Sequence, residues 1–368
     1  MVNHKRLIDF FEKLVQINSP SKSEDKIIAF LKSYFEKMGF ECWEDNAGEI
    51  TGGNANNLYG VLKGNPNRKS ICFNSHADTV MPTENIHIIN DGKIIKTDGK
   101  TVLGADDKGG IAIFTEAIQT VLDNDVDHGN IYILITVQEE IGAGGAECVE
   151  CDSFRPDITY SFDTGKPTLC AVASAPTHYK MTYKIHGKAA HAAYSNGSIN
   201  AVKVASDAIS KLDTGQIDEE TCCNIGKISG GARTNIVPEF CEVLAEARSQ
   251  NDDKVESLVK KMTESFEKSC KKYGATLEKE INCEYRSFNI PEDDSDFVFA
   301  YNIAKDFVGV PFIEHSLGGF DASIFNAKGL KTIVYGIGYE NIHSNREFIE
   351  IKDLITVSEF AYRLITEI

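Results

Sequence analysis

The chain has 368 residues, of which 42% are hydrophobic and 25% are charged, the composition of an ordinary globular protein. Its formal net charge is −17, and its lysines and arginines are scattered. Nucleic-acid binding depends on clustered positive charge, so we expect no nucleic-acid partner. No stretch approaches the ~20 apolar residues that span a bilayer, so we also expect no membrane partner. The excess of acid indicates a solvated surface and is compatible with cation sites.

The amino terminus is predicted to be a structural helix. Its apolar residues are amphipathic and are interrupted by Asp9 and Glu12, whereas a signal peptide has an uninterrupted apolar core. We therefore predict a cytoplasmic protein, in which the 10 cysteines stay reduced.

Helices and strands alternate along the next part of the chain. A second helix over 24–40 follows a predicted capping box from Ser21 to Glu24. The run IYILIT is continuously apolar, which is typical of a strand buried on both faces of a sheet. This part of the chain therefore predicts an α/β layered domain. The further predicted elements are strands at 57–63 and 70–75, a helix over 107–122, and strands at 130–140 and 157–165.

The pattern changes near residue 176. The following elements have the order βαββαβ, which is typical of a ferredoxin-like α+β domain. They are strands at 178–188, 222–229, 239–249 and 275–286, and helices over 198–212 and 252–273.

The α/β pattern returns after residue 288. We therefore predict a catalytic α/β domain formed by residues 1–176 and 287–368, interrupted by an inserted α+β domain of residues 177–286. The elements of the last part are helices over 295–308, from Asp321 and over 352–367, and strands at 312–315 and 331–338.

Histidine and carboxylate residues lie at the ends of the apolar strands. In open α/β sheets, the crevice beyond the carboxyl ends of the strands is where sites are built. Imidazole and carboxylate are the usual protein ligands of Zn²⁺, Mn²⁺ or Co²⁺. Two histidines and at least three carboxylates suit two ions that share a bridging carboxylate and a nucleophilic water. The residues are His76, Asp78, Glu139, Glu140, Asp163 and His343.

Two adjacent aspartates, Asp106 and Asp107, stand where the helix over 107–122 begins. N-capping explains one aspartate at this position, because a carboxylate favours the positive end of a helix. The second needs another reason. The segment GADDKGG is not a phosphate loop, because it lacks the GxxxxGK[ST] spacing.

Several segments together resemble the co-catalytic zinc exopeptidases, the family that includes peptidase T and glutamate carboxypeptidase. The resemblance is closest to the peptidase T-like branch and covers nearly the whole chain. It implies a zinc-exopeptidase-like catalytic domain with a mixed sheet, and an inserted ferredoxin-like α+β domain that acts as a lid or in dimerisation, with a homodimer through that domain. The segments, in chain order, are SHADTV, GADDKGG, TVQEEIGAGGA, SFDTG, GKAAHA, GGFDASIFNAKG and NIHSNREF.

The resemblance also implies a ligand set for two divalent ions, most readily zinc, although cobalt and manganese suit the same ligands. By this resemblance, His76 and Asp163 hold one ion, Glu140 and His343 hold the other, and Asp106 bridges both. A cis peptide bond after Asp106 is implied to aim its carboxylate between the ions.

Further roles follow from the same resemblance. Glu139 is the general base and Asp78 orients His76. His191, from its own or a neighbouring subunit, stabilises the oxyanion. The implied substrate-binding residues are Asn235 and Arg248, with the backbone of Gly318 and Gly319, behind which Asp321 caps a helix.

We weigh three functions. The first is a two-metal aminopeptidase of the tripeptidase type, which removes the N-terminal residue of a short peptide. The second keeps the metals but hydrolyses N-acyl amino acids or related dipeptide-like amides, which makes the protein a deacylase. The third is a binding protein without activity; it predicts loss of the base or the bridge, whereas Glu139 and Asp106 are both present.

Overall fold

Residues 1–151 and 154–368 are described by the computed structural model, and they divide into two units. The first unit comprises Met1–Ala173, Asn289–His315 and Phe320–Ile368, and the second Ser174–Phe288 and Ser316–Gly319. The sequence analysis assigned residues 316–319 to the catalytic domain, whereas their backbone is bonded to the second unit. The Gln250 side-chain amide donates to the carbonyl of Ser316 at 3.0 Å.

The predicted helices are present, together with the short helices α3 and α5 that were not predicted, and local caps help to set their first residues. Asn3 caps the first helix by accepting from the backbone N–H of Arg6 at 3.1 Å. The predicted capping box is wrong, because the second helix begins at Asp25 and Ser21 and Glu24 bond elsewhere. The helices are α1 (His4–Val15), α2 (Asp25–Lys37), α3 (Ala47–Thr51), α4 (Ala105–Asp123), α5 (Gly144–Glu147), α6 (Ala201–Ile209), α7 (Asp252–Tyr273), α8 (Ser295–Val308), α9 (Asp321–Ala327) and α10 (Ile351–Glu367).

The predicted strands are present, and further short strands join them. The strand predicted to reach residue 140 ends at Thr136, so that the following residues form a loop. Short strands such as β4 and β10 below have too few residues to show a periodic pattern. The strands are β1 (Glu41–Glu44), β2 (Leu58–Leu62), β3 (Ile71–His76), β4 (Ile88–Asn90), β5 (Ile94–Thr97), β6 (Ile131–Thr136), β7 (Ile158–Thr164), β8 (Ala171–Ala175), β9 (Thr177–His186), β10 (Gly215–Gln216), β11 (Thr221–Gly230), β12 (Phe240–Ser249), β13 (Thr276–Tyr285), β14 (Phe288–Asn289), β15 (Ile313–His315), β16 (Thr332–Gly336) and β17 (Phe348–Glu350).

The large sheet is mixed, as predicted, and has the strand order β1-β2-β6-β3-β7-β16-β8-β14. Its centre is parallel: β3 pairs with β6 and β7, and β7 pairs with β16. The central strands are buried on both faces, in agreement with their continuous apolar runs. Helix α4 packs on β3 and β7, where the Phe114 ring stacks on that of Phe73 at 5.7 Å.

The second unit has the predicted βαββαβ order, formed by β9, α6, β11, β12, α7 and β13. Its antiparallel sheet runs β10-β11-β12-β9-β13. Helices α6 and α7 pack against each other and on this sheet, where the rings of Tyr183 and Phe266 stack at 4.1 Å. The predicted ferredoxin-like α+β fold is confirmed.

Within residues 1–151 and 154–368, no helix has both the length and the apolar character that a membrane crossing requires.

Candidate functional site

The central parallel strands of the first unit bring distant residues together. Because β3, β6, β7 and β16 run in the same direction, their carboxyl ends share one edge of the sheet. His76 is the last residue of β3, and Asp163 lies near the end of β7. The residues after β6 include Glu139 and Glu140, and those after β16 include His343.

Asp106 lies between two histidines. Its Oδ1 atom is 3.2 Å from Nε2 of His76, and its Oδ2 atom is 3.3 Å from Nε2 of His343. Each histidine also faces a second carboxylate. The Nε2 atom of His76 is 3.5 Å from Oδ1 of Asp163, and that of His343 is 2.8 Å from Oε2 of Glu140. The Asp106 carboxylate therefore lies between two pairs, each formed by one imidazole and one further carboxylate.

The two adjacent aspartates have different contacts. Asp107 has a non-helical backbone conformation, with φ −121° and ψ 32°, and its Oδ1 atom accepts from the backbone N–H of Gly110 at 3.3 Å. This three-residue spacing is that of an N-cap. The peptide bond between Asp106 and Asp107 is cis, as the resemblance implied. Asp107 thus caps the regular part of α4, while Asp106 faces the histidines.

The groups of this cluster have the chemistry of divalent-cation ligands. The ligand atoms of His76, Asp106 and Glu140 lie within 4.8 Å of one another, and so do those of His76, Asp107 and Asp163. Among the described residues, Glu140 Oε1 and Asp107 Oδ2 are buried oxygens without a hydrogen-bond partner. Buried carboxylates that lack donors are stabilised by cations, so this set of oxygen and imidazole nitrogen atoms fits divalent ions.

The pKa shifts in this cluster are those expected where several buried carboxylates lie close together, an environment that a cation would stabilise. Burial raises the pKa of Asp163 to about 6. Hydrogen bonds to Asp106 and Glu140 raise the pKa of His343 to about 10. For Glu139, burial and then the negative charge of Asp163 raise the pKa well above its ordinary value.

Asp78 contacts both His76 and the loop that follows β6. The Nδ1 atom of His76 lies 3.0 Å from the Asp78 carbonyl oxygen and 3.4 Å from Asp78 Oδ1. A donated Nδ1–H leaves the Nε2 lone pair directed at Asp106. The Asp78 carboxylate also accepts the backbone N–H groups of Glu139 at 2.9 Å and Glu140 at 3.3 Å. One residue therefore contacts both the imidazole and the backbone of this loop.

Several supporting residues were missed by the sequence analysis. The hydroxyl of Ser21 donates to Asp78 Oδ2 at 2.7 Å, and Glu24 Oε1 accepts from the backbone N–H of Gln138 at 3.1 Å. The hydroxyl of Tyr339 donates to Asp106 Oδ1 at 3.3 Å. None of these contacts is local in sequence, so no spacing signal could have found them.

The predicted cap formed by Asp321 is wrong. Helix α9 does begin at this residue, but the residue at the cap position is Phe320 and no side chain caps the helix. The Asp321 carboxylate instead accepts from the hydroxyl of Thr136, the last residue of β6. Burial raises the pKa of Asp321 to about 7.

In the second unit, His191 and Asn235 lie on two paired segments. The backbone N–H of Ala192 donates to the Asn235 carbonyl at 2.9 Å, and His191 pairs with Ile236. Both His191 and Asn235 are exposed. The Nδ1 atom of His191 accepts from the backbone N–H of Ala193 at 3.2 Å, which assigns the ring proton to Nε2. The exposed Nε2–H is therefore available as a donor.

Arg248 lies beside the segment that contains Gly318 and Gly319. Its Nη1 atom donates to the Leu317 carbonyl at 3.1 Å, and its Nη2 atom donates to Glu246 Oε2 at 3.1 Å. Among the described residues, Arg248 Nε is a buried donor without a partner. The predicted substrate-binding residues thus form two groups within the second unit, His191 with Asn235 and Arg248 with residues 317–319.

Another interaction near Arg248 was missed by the sequence analysis. Nε2 of His178 lies 3.0 Å from the same oxygen, Glu246 Oε2. Hydrogen bonding to His178 lowers the pKa of Glu246 to about 2. His178 and Glu246 therefore add to the group formed by Arg248 and residues 317–319.

Family models match two parts of the chain. Residues 177–274 match the peptidase dimerisation domain of the M20 type, and residues 75–188 match the M42 glutamyl aminopeptidase model. The chain is 38% identical to Uncharacterized protein YqjE of Bacillus subtilis over 100% of this chain and 99% of the relative. It is 31% identical to Peptidase T of Fusobacterium nucleatum over 82% of this chain and 74% of that protein.

Solved structures with similar folds cover the whole chain. The aminopeptidase PepT of Bacillus cereus is 36% identical, with a TM-score of 0.92 over 100% of this chain and 99% of that chain. A tripeptidase from Staphylococcus aureus is 35% identical, with a TM-score of 0.95 over 100% of this chain and 99% of that chain.

The fold, the cluster of histidines and carboxylates and these similarities define a metallopeptidase, a hydrolase of peptide bonds. Within that class, the chain belongs to the M20 peptidases, in their peptidase T-like branch.

Proposed function

We propose that the protein is a two-metal-dependent exopeptidase that hydrolyses the N-terminal peptide bond of short peptides, as an aminotripeptidase does. The observation that carries this proposal is the position of Asp106, whose two oxygens face His76 at 3.2 Å and His343 at 3.3 Å. A carboxylate so placed suits two cations at once. The names of the PepT and tripeptidase structures support the peptide substrate.

In this proposal, His76 and Asp163 would hold one ion, Glu140 and His343 would hold the other, and Asp106 would contribute to both sites. When bound, divalent ions supply Lewis acidity, which polarises the peptide carbonyl and makes water more acidic. The donor set suits zinc and also cobalt or manganese.

Glu139 is the proposed general base. Its side chain takes a proton from the attacking water and gives it to the leaving amine, which releases an amino acid and a shorter peptide. A carboxylate can hold that proton between the two steps. The hydrogen bond from the Glu139 backbone to Asp78, at 2.9 Å, orients the segment that carries this base.

The second unit supplies the proposed contacts to the substrate. Nε2–H of His191 donates to the oxyanion that forms at the carbonyl oxygen. Asn235, Arg248 and the backbone of Gly318 and Gly319 bind the carboxylate of the peptide, because a guanidinium and a carboxylate form strong charge-assisted hydrogen bonds.

A homodimer through the inserted domain stays a prediction, supported by the match of residues 177–274 to a peptidase dimerisation domain. The mass in solution by light scattering tests it. We expect twice the chain mass of 40.6 kDa, and a single chain mass would contradict the prediction.

A hydrolysis screen tests the proposed activity. Protein loaded separately with Zn²⁺, Co²⁺ or Mn²⁺ is given dipeptides, tripeptides and their N-acetylated counterparts, and the products are identified by mass. We expect free tripeptides to lose their N-terminal residue and the N-acetylated peptides to stay intact. Release of acetate with no cleavage of free peptides would contradict the proposal and indicate the deacylase.

The two-ion part of the proposal is tested on His343→Ala. We expect elemental analysis to show a fall from about two bound ions per chain to about one, because one imidazole ligand is lost. His87→Ala, at an exposed histidine of the same unit, is the matched control. An unchanged metal content in His343→Ala would exclude His343 as a ligand.

A further inference from the structure

Glu347 is a buried carboxylate that lies four residues after His343 and has no role in the proposed chemistry. Only 2% of its surface is exposed. It belongs to the segment NIHSNREF, of which the sequence analysis used only the histidine.

The Glu347 carboxylate accepts three backbone N–H groups from the segment that carries Asp106. Its Oε2 atom accepts from Leu103 and from Gly104, each at 2.8 Å, and its Oε1 atom accepts from Asp106 itself at 3.1 Å. Hydrogen bonds to an ionised acceptor are stronger than those between neutral groups. Three of them on one carboxylate fix the backbone of this segment.

This backbone has no regular structure to hold it. Gly104 is in the left-handed region, with φ 76°, and Asp106 has φ −82° and ψ 104°, which is not helical. The helical hydrogen bonds of α4 therefore do not set the direction of the Asp106 side chain. The hydrogen bonds to Glu347 hold the backbone at this non-helical position instead.

Glu347 is also fixed relative to His343. Residues 340–348 form a loop closed at its base, where Glu340 and Phe348 exchange backbone hydrogen bonds at 2.9 Å and 3.1 Å. Within the loop, the backbone N–H of Glu347 donates to the Ser344 carbonyl at 3.1 Å. One closed loop thus carries both His343 and the carboxylate that holds the Asp106 segment.

We infer that Glu347 is a positioning residue of the metal centre, which sets the distance between the Asp106 carboxylate and the His343 imidazole through its three backbone hydrogen bonds. This inference rests on the metal-binding part of the proposed function. Residues that hold metal ligands in place commonly affect metal affinity by 10–100-fold.

The test is a titration of metal-free protein with Co²⁺, followed by visible absorption, which reports the coordination geometry. In Glu347→Gln, the amide nitrogen cannot accept, so at least one of the three bonds is lost. We expect the dissociation constant of the more weakly bound Co²⁺ ion to rise by roughly 10–100-fold, and the visible absorption bands to shift. Glu347→Asp keeps the charge but is one methylene shorter, and we expect an intermediate affinity.

The matched control is Glu116→Gln on α4. Glu116 is equally buried, with 2% exposure, and it accepts from the Arg6 guanidinium at 2.6 Å, away from the metal cluster. Its loss is expected to lower the melting temperature but to leave Co²⁺ affinity and the spectrum unchanged. This control separates lost stability from lost positioning.

Three results would overturn the inference. One is wild-type affinity and spectrum in folded Glu347→Gln, or in Glu347→Asp if the first variant does not fold. Another is an equal loss of affinity in Glu116→Gln. The third is failure of both Glu347 variants to fold, which would assign the residue to folding alone. Because Co²⁺ binding is read without substrate, wild-type protein that binds Co²⁺ but cleaves no peptide would contradict the proposed activity and leave this inference standing.

Discussion

The two units of the molecule present their functional residues in opposite ways. In the first unit, most of the cluster is buried, with Asp106 7% and His76 2% exposed, and backbone N–H groups hold the surrounding segments. His343 is the exception, because half of its side chain is exposed. In the second unit, His191 and Asn235 are exposed to solvent. Groups that bind cations need a fixed geometry, and their charge interactions are stronger where burial keeps water from screening them. Groups that contact a flexible substrate need to be accessible.

This comparison predicts that metal content depends on residues of the first unit, while changes in the second unit alter the binding or turnover of the substrate and leave metal content unchanged. The largest effect is expected for Glu139→Ala. Loss of the general base should lower kcat by roughly 10³–10⁴-fold while elemental analysis shows unchanged metal content. Glu49→Gln, at an exposed position of the same unit, is the control. An active Glu139→Ala enzyme would mean that another group is the base.

A smaller effect is expected for His191→Ala in the second unit. Loss of an oxyanion donor should lower kcat by roughly 10²–10³-fold, again with unchanged metal content. His186→Ala serves as control, since this histidine is the last residue of β9 in the same unit and pairs with Glu278 at the surface. A fall in metal content in His191→Ala would break the distinction between the units.

Arg248→Lys is expected to act on substrate binding. A lysine cannot form the two-pronged contact of a guanidinium with a carboxylate, so KM should rise about tenfold with kcat little changed. The KM values are also compared for peptides whose C-terminus is amidated. These peptides lack the carboxylate, so the variant and the wild type should then have similar KM values. Arg286→Lys, at a half-exposed arginine of this unit, is the control. Equal KM values for the free peptide would exclude Arg248 from carboxylate binding.

The smallest effect concerns the pH dependence of stability at Glu24. Burial raises the pKa of Glu24 to about 7 from an ordinary 4.5, so the folded state binds more protons than the unfolded state between these values. Its contribution is therefore present below pH 4.5 and is lost as the pH rises through 7. Glu24→Gln, which cannot ionise, should gain a few degrees of melting temperature relative to wild type between pH 5 and pH 8. A constant difference across this range would contradict the raised pKa.

Much of the fold could be predicted from the sequence because its signals are local. The apolar run of β6 and the alternation along β9 show the burial of each strand directly. The cluster residues were found for a related reason. His76 and Asp163 stand at or near the ends of apolar strands, and the carboxyl ends of parallel strands meet at one edge.

Local patterns also explain where the predictions were wrong. Ser21 and Glu24 have the spacing of a capping box, and Asp321 begins a helix, so each was assigned to a helix end. In the structure, Ser21 donates to Asp78, which is 57 residues away, and Asp321 accepts from Thr136, which is 185 residues away. A polar side chain forms its hydrogen bond with whichever buried partner the packing provides, and spacing along the chain does not contain that information.

The sequence by itself determined the α/β class, the inserted βαββαβ unit and the residue types of the cluster, since these depend on periodicity and on neighbours along the chain. Only the tertiary structure decided that Asp107 is the aspartate that caps the helix, and that Glu347 holds the Asp106 segment from 241 residues away. The physical reason is that buried donors and carboxylates find partners through space, and the folded backbone alone sets those distances.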